Sequence, residues 1–191
     1  MEPEIMPFLK SLPQNATLPD VFNAFPDAAI PLLDYQERVL RNPSPFTAGE
    51  RELIAAYVSA LNDCDYCQGL HEAVAARLGF GPAVLAVLLE DVDTAPVGTE
   101  IKPVFRYARK LTFSPGRVSA EDAAAMYEVG WDDKALHDVV SIVALINFMN
   151  RFVAGLGITA NENYFEKVSA ELAIYGYTGL AKRLIADKEC C

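Results

Sequence analysis

The chain has 191 residues, of which 52% are hydrophobic and 22% are charged, and its formal net charge is −10 at pH 7. This length suits one domain with a sizeable core, and the composition is too apolar for a disordered chain. The negative charge argues against a nucleic-acid partner, because it would repel the phosphates.

The N-terminal sequence MEPEIMPFLK is acidic and interrupted by proline. It therefore lacks the basic and apolar regions of a signal peptide. No apolar run approaches the ~18 residues that a membrane span needs. We expect a cytoplasmic, reducing location and no membrane partner. In that compartment a lone C-x-x-C pair is more typical of catalysis or metal binding than of a structural disulfide.

Residues 1–46 hold most of the twelve prolines in the chain. Two short helices are predicted there, one beginning at Thr17 (TLPDVFNAF) and one across DAAIPLLDYQERVLRN. The segment has too few apolar positions to form its own core. We therefore expect an N-terminal arm that wraps a helical domain formed by residues 47–191.

Helix signals dominate from Thr47 onward. The sequence TAGE at residues 47–50 fits a capping box, in which the Thr47 hydroxyl and the Glu50 carboxylate each bind a backbone amide. Apolar residues at helical spacing follow as far as Leu61. This pattern stops at Asn62 and Asp63, which are both favourable N-cap residues for the next helix.

That next helix is predicted from about Cys64 to Leu78. Further helices are predicted across GPAVLAVLLED, TEIKPVFRYARKLT, SAEDAAAMYEVG, DDKALHDVVSIVALINFMNRFVAGLG and NENYFEKVSAELAIYGYTGLAKRLIA. No strand pair is recognisable, so the prediction is an all-α, single-domain helical bundle. The segment 132–155 is apolar around most of its circumference, which is typical of a central helix or a subunit interface. Together with the high hydrophobic fraction, this segment predicts a homo-oligomer.

The stretch LNDCDYCQGLHEA carries half of the cysteines and half of the histidines in the chain. In a helix of ~3.6 residues per turn, Cys64, Cys67 and His71 follow one another on one face at steps of about one turn. If Asn62 or Asp63 is the N-cap, Cys64 lies in the first turn, where free amides stabilise a thiolate. A thiolate, a second thiol and a base are the ingredients of thiol-based redox chemistry.

Other interpretations of the motif are half of a zinc site and two buried structural cysteines. Further zinc ligands are hard to find. Cys190 and Cys191 are adjacent, could hardly complete one tetrahedron, and are most simply a frayed tail. His137 lies in the apolar helix and is expected to be a packed or capping residue. We therefore favour redox chemistry without a metal.

Glu52 precedes Cys64 by twelve residues, beyond contact in one continuous helix. If the chain folds back at Asn62 and Asp63, however, Glu52 and His71 are nearly equidistant from the turn. They would then meet across an antiparallel helix pair, where the carboxylate would orient the imidazole and raise its basicity. An exposed, solvated Glu52 remains the alternative. On a later helix, a polar strip of Asn147, Asn150 and Arg151 fits either an active-site mouth or an interface.

The segment ERELIAAYVSALNDCDYCQGLHEAVA resembles the core of the alkylhydroperoxidase D-like, or carboxymuconolactone decarboxylase-like, superfamily. The shared features are a Glu, a C-x-x-C twelve residues later and a His four residues after the second Cys. ALINFMNRFVAGLGI and PDVFNAF resemble a later helix and the N-terminal arm of the peroxidase-related group. The resemblance implies an all-α, oligomeric, cofactor-free enzyme with Glu52, Cys64, Cys67 and His71 as its catalytic set.

The implied activity is reduction of a small-molecule hydroperoxide, with a dithiol or a protein as the reductant. Cys67 would attack because it is nearest His71, and Cys64 would resolve the product, although the placement of Cys64 near a helix N-terminus favours the opposite order. Tyr66 occupies a position where some alkylhydroperoxidases have a relay histidine. The alternatives are a lactone decarboxylase on the same fold, which needs no second thiol, and a non-catalytic oligomeric thiol-switch or zinc protein.

Overall fold

The computed structural model describes residues 7–189, and its regular structure is helical throughout that range. The predicted all-α class is confirmed. The helices are α1 (Leu18–Ala24), α2 (Pro26–Arg41), α3 (Ala48–Leu61), α4 (Asp65–Arg77), α5 (Val84–Glu90), α6 (Lys102–Phe113), α7 (Ala120–Glu128), α8 (Asp133–Gly155) and α9 (Glu162–Glu189). Short 3₁₀ turns at Thr99–Ile101 and Pro115–Arg117 flank α6. The predicted tail cysteines, Cys190 and Cys191, lie outside the described residues.

Helix α3 is the centre of the bundle and packs against α4, α5, α6 and α8. It begins with the predicted capping box: the Glu50 carboxylate accepts the Thr47 amide at 2.7 Å, and the Thr47 hydroxyl accepts the Glu50 amide at 3.2 Å. Most of its side chains are buried. Because α3 is enclosed by these helices, a buried charge on it, such as that of Glu52, needs partners within the protein.

Helices α3 and α4 form an antiparallel pair joined by a tight turn. Asn62 ends α3, and Asp63 adopts a left-handed conformation with φ of 53°. The N-cap of α4 is Cys64. The prediction that Asn62 or Asp63 caps α4 is therefore wrong, because those residues make the reversal itself.

Helix α8 packs against α2, α3, α4 and α6. Its N-cap Asp132 accepts the Ala135 amide at 2.9 Å. Among the described residues, α8 alone, with 23 residues, is long and apolar enough to cross a membrane by length and composition. The expectation that no segment approaches such a length is therefore wrong. Half of the apolar stretch of α8 is buried inside the protein, and core helices share this length and composition.

Helices α1 and α2 pack together and against α9, and Leu33 and Leu40 of α2 are fully buried. The division of the chain at residue 46 stays a prediction. Helix α9 is broken at Gly176, where φ is 62° and ψ is −166°. One continuous helix was predicted there, because a lone glycine inside a helical pattern does not by itself indicate a break.

Candidate active site

The antiparallel pairing of α3 and α4 brings Glu52 and His71 together in the core. Glu52 Oε2 lies 2.6 Å from His71 Nδ1. The Glu52 side chain is fully buried, and His71 is 5% exposed. The predicted Glu52–His71 contact is confirmed, and the alternative of a solvated Glu52 is excluded. The neighbouring acid Glu50 is instead engaged at the start of α3.

Two residues that sequence reasoning missed complete the surroundings of Glu52. Arg41, at the end of α2, places Nη2 2.6 Å from Glu52 Oε1. Tyr177, in α9, donates its hydroxyl to the same oxygen at 3.0 Å. The Arg41 guanidinium also lies over the Tyr177 ring, 5.2 Å from its centroid. No spacing pattern in the sequence connects residues that are so far apart in the chain.

These partners determine the ionisation of Glu52. Burial acts to raise the pKa of Glu52, but the interactions with His71 and Arg41 outweigh it, and the pKa is lowered. The carboxylate is therefore ionised despite its complete burial. A buried ion of this kind is stable only when it is paired and hydrogen-bonded on each oxygen, as it is here.

Cys64 and Cys67 are both free thiols and both buried. A hydrogen bond with the Cys67 thiol lowers the pKa of Cys64 to about 7, with burial opposing the effect. The same hydrogen bond, together with burial, raises the pKa of Cys67 well above its usual range. The dithiol thus loses its first proton near neutral pH, from Cys64, and the remaining proton stays on Cys67.

A cavity of about 40 Å³ lies beside the dithiol. Cys67 and His71 line it, whereas Cys64 does not. Leu18 and Phe22 of α1 also line it. A single water occupies roughly 10–15 Å³ on this scale, so the cavity has room for a group of a few heavy atoms. Cys67 is therefore the thiol that faces the cavity.

Tyr66 also lines the cavity, and its hydroxyl lies 2.6 Å from that of Tyr164. Burial and the neighbouring Tyr164 raise the pKa of Tyr66 well above its usual value. Tyr66 therefore remains protonated at neutral pH. It can serve as a hydrogen-bond partner in the cavity, but it cannot replace a histidine as a base.

The polar strip on α8 lies behind the dithiol. Asn150 accepts a hydrogen bond from Asn62 at 3.0 Å and donates one to Ser59 at 3.0 Å, and Asn147 accepts from Asn62 at 3.2 Å. The Asn150 carbonyl oxygen lies 4.0 Å from the Cys64 sulfur. Two of the three residues in the strip thus attach the α3–α4 turn to α8. Arg151 is exposed and bonds back to Asn147 at 2.7 Å.

His137 is not part of this site. Its side chain is 74% exposed and lies 3.1 Å from Asp138. The expectation of a packed or capping residue is wrong, because the His137 side chain lies on the outer face of α8, opposite the buried Ala135 and Val139. Within residues 7–189, no group of three or more His, Cys, Asp and Glu side chains could hold a metal ion.

Comparison with known proteins agrees with the resemblance predicted from the motif. Residues 26–110 match the carboxymuconolactone decarboxylase family. No curated protein gives a significant match. The family match covers the turn between α3 and α4 and therefore all four predicted site residues. It supports a peroxidase-related or decarboxylase-like role.

Several solved structures share the fold. An uncharacterized peroxidase-related protein from Ralstonia eutropha JMP134, with an alkylhydroperoxidase AhpD core, is 25% identical with a TM-score of 0.71, covering 76% of this chain and 77% of its own. A peroxidase-related protein from Silicibacter sp. TM1040 is 22% identical with a TM-score of 0.70, covering 76% and 78%. The debrominase Bmp8, in complex with 2,3,4-tribromopyrrole, is 15% identical with a TM-score of 0.67, covering 88% and 96%. The chain therefore has an alkylhydroperoxidase D-like fold.

Proposed function

We propose that this chain, whose residues 26–110 match the carboxymuconolactone decarboxylase family, is a thiol peroxidase that reduces hydroperoxides through Cys64 and Cys67. The observation that carries the proposal is the shared cavity of Cys67 and His71. The Cys67 thiol interacts with the thiol of Cys64, and the imidazole is held by an ionised, buried Glu52. A nucleophile, a resolving group and a base thus occupy one small site.

In the first step the dithiol transfers one proton to His71, and the Cys67 sulfur attacks the terminal oxygen of the hydroperoxide. The O–O bond breaks as the S–O bond forms, which leaves a sulfenic acid on Cys67. The departing alkoxide takes the proton from His71 and leaves as an alcohol. The thiolate forms on Cys67 when the remaining proton moves from Cys67 to the neighbouring Cys64 sulfur.

In the second step the Cys64 sulfur attacks the sulfenic acid. A disulfide forms between Cys64 and Cys67, and hydroxide leaves with the Cys64 proton as water. The sum is two thiols and one hydroperoxide giving one disulfide, one alcohol and one water. A cytoplasmic dithiol or protein reductant then restores the pair by thiol–disulfide exchange.

The proposal is tested by measuring hydroperoxide consumption with small dithiols as donors. Wild type should turn over repeatedly, and its oxidised form should show a Cys64–Cys67 disulfide by mass spectrometry. Cys64→Ser and Cys67→Ser should each abolish turnover. A variant with both Cys190 and Cys191 replaced by serine should remain active, which controls for unrelated thiols.

Each alternative has its own outcome. One equivalent of peroxide consumed without turnover would identify a thiol switch instead of an enzyme. Decarboxylation of a lactone that survives in Cys67→Ser would identify the lyase. Peroxide that leaves both thiols free would contradict the proposed mechanism.

A further inference from the structure

We propose that Arg41 and Tyr177 are positioning residues that hold the proton of His71 on Nδ1 and keep Nε2 free to act as the base. This inference rests on the proposed function, since it assigns the proton acceptor of the same site. It concerns residues of α2 and α9, which lie outside the motif around the two cysteines. The hydrogen bonds and the charge of the buried Glu52 carboxylate support this assignment.

The two oxygens of Glu52 have different partners. Oε1 accepts from Tyr177 at 3.0 Å and pairs with Arg41 at 2.6 Å. Oε2 is therefore the oxygen that remains for His71, at 2.6 Å from Nδ1. An ionised carboxylate can only accept hydrogen bonds, so Nδ1 must carry the proton. In the neutral ring Nε2 is then unprotonated and able to accept a proton.

The positive charge of Arg41 balances the negative charge of Glu52. Glu52 is fully buried, and the Arg41 side chain is only 13% exposed. Their charges cancel inside the protein, so the pair places no net charge beside the His71 ring. Without Arg41, the buried negative charge would draw an additional proton to the Glu52–His71 pair. Whether that pair is then carboxylate with imidazolium or carboxylic acid with imidazole, the added proton leaves Nε2 protonated.

The placement of Tyr177 depends on α2. The break in α9 at Gly176 leaves the next backbone amides free of the preceding helix. The Glu37 carboxylate of α2 accepts the amides of Tyr177 at 2.6 Å and Thr178 at 3.2 Å. This contact directs the Tyr177 side chain into the core, where its hydroxyl also lies 3.5 Å from His71 Nδ1. Helix α2 thus supports the relay directly through Arg41 and indirectly through Glu37.

The other charged and titratable groups around the relay lie on α2, on α3, at the start of α4 and on α9. They are Arg41 and Glu37 on α2, Arg51 on α3, Cys64 at the N-cap of α4, Cys67 on α4, and Tyr177 on α9. Arg51 is a largely buried arginine like Arg41, and it is 4% exposed. It donates to main-chain oxygens of Val39 and Asn42, at 3.2 and 2.8 Å, and not to Glu52. Arg51 is therefore the matched control for removing a buried arginine.

The test is nitrogen-15 NMR of the histidine rings at neutral pH, which needs no peroxide. The chain has two histidines, and the exposed His137 is the internal reference. In wild type, His71 should show a protonated Nδ1 and an unprotonated Nε2. Arg41→Met should convert Nε2 to the protonated form, and Arg41→Lys should restore the wild-type ring because it retains the charge.

Two further variants control for folding. Arg51→Met should lower stability and leave the His71 spectrum unchanged. Tyr177→Phe removes one hydroxyl from the core and should weaken the preference for Nδ1 protonation, even if Arg41→Met fails to fold. In turnover assays at pH 7, Arg41→Met should lose roughly tenfold or more and recover as the pH rises, since a base must be deprotonated to act.

An unprotonated Nε2 in folded Arg41→Met, or an unprotonated Nδ1 in wild type, would overturn the inference. Equal His71 spectra in wild type and Tyr177→Phe would remove Tyr177 from it. These results are independent of the proposed activity. A chain that fails to reduce any hydroperoxide would contradict the proposed function while the ring protonation still decides the role of Arg41.

Discussion

Cys64 occupies the N-cap of α4, a position that usually favours a small oxygen-bearing side chain. A thiolate is stabilised there because the Cys67 amide lowers the pKa of Cys64 in addition to the Cys67 thiol. The two cysteines therefore differ once the dithiol has lost one proton. Cys64 carries the charge, and Cys67 holds the remaining proton and faces the cavity.

Removal of the Cys67 thiol should raise the pKa of Cys64. In a background without Cys190 and Cys191, the alkylation rate of wild type should rise with pH around a midpoint of about 7. In Cys67→Ala the midpoint should move upward, toward the usual thiol value of about 8.5, because the hydrogen bond to the thiolate is lost. The check is iodoacetamide labelling at a series of pH values, followed by mass spectrometry. An unchanged midpoint would show that the helix terminus alone sets the Cys64 pKa.

The neighbouring acids Glu50 and Glu52 offer a matched comparison on one helix. Glu52→Gln should slow peroxide turnover by roughly 10²–10⁴-fold, because the neutral amide no longer stabilises a protonated His71. Glu50→Gln should change turnover little, since glutamine also serves in a capping box. Steady-state kinetics measures the turnover of the two variants, and circular dichroism checks that each variant is folded. Equal losses in the two variants would indicate a general effect on α3 instead of a relay.

At the scale of the helices, the sequence determined the α3–α4 pair and the contact it makes. Glu52 and His71 lie on consecutive helices, so the turn at Asn62 and Asp63 sets their register directly. The capping box at Thr47 was predictable for the same reason, because its partners are three residues apart. Local spacing is enough wherever the residues involved are near one another in the chain.

Arg41 and Tyr177 are too far from Glu52 in the chain for local spacing to predict their contacts. Their contacts with Glu52 depend on how α2 and α9 pack around α3, which is decided by the shapes of whole apolar faces. The break at Gly176 has a similar origin. A glycine permits the positive φ found there, but the Glu37 carboxylate on another helix supplies the hydrogen bonds that make the break favourable.

Gly176→Ala should therefore be costly. Its φ of 62° and ψ of −166° lie in a region that only glycine adopts readily, and an added Cβ would overlap the Glu37 carboxylate. We expect a loss of about 1–3 kcal/mol in the free energy of unfolding, measured by urea denaturation, together with reduced turnover as Tyr177 is displaced. Gly155→Ala is the control, since a Cβ there meets nothing within 4 Å. A cost at Gly155 equal to that at Gly176 would contradict this account.

At the scale of the whole molecule, the site draws on both ends of the described chain. Phe22 of α1 lines the dithiol cavity, Arg41 of α2 binds Glu52, and Tyr177 of α9 completes the relay. The proline-rich N-terminal segment thus does more than cover the core. It supplies part of the cavity wall and the cation that keeps Glu52 ionised. The packing of this segment therefore affects the chemistry of the site.

The prediction of a homo-oligomer concerns the outer face of α8. Phe148 is 51% exposed and stacks on Phe152, with ring centroids 5.9 Å apart. It lies between a hollow of about 500 Å³ toward α1 and α2 and one of about 350 Å³ toward α6. An exposed aromatic between two apolar hollows is typical of a surface that meets another protein, and we propose that the partner is a second copy of this chain.

Phe148→Asp should then weaken self-association, because the carboxylate would have to be buried without a partner in the interface. Sedimentation velocity at micromolar concentration should show an assembly for wild type and a shift toward the monomer for the variant. Val129→Asp is the control: Val129 is 41% exposed, follows α7 and lies outside both hollows, so this variant should assemble like wild type. A monomeric wild type at that concentration would contradict self-association altogether. Equal dissociation of the two variants would mean that added negative charge on a chain of net charge −10, and not the face around Phe148, separates the subunits.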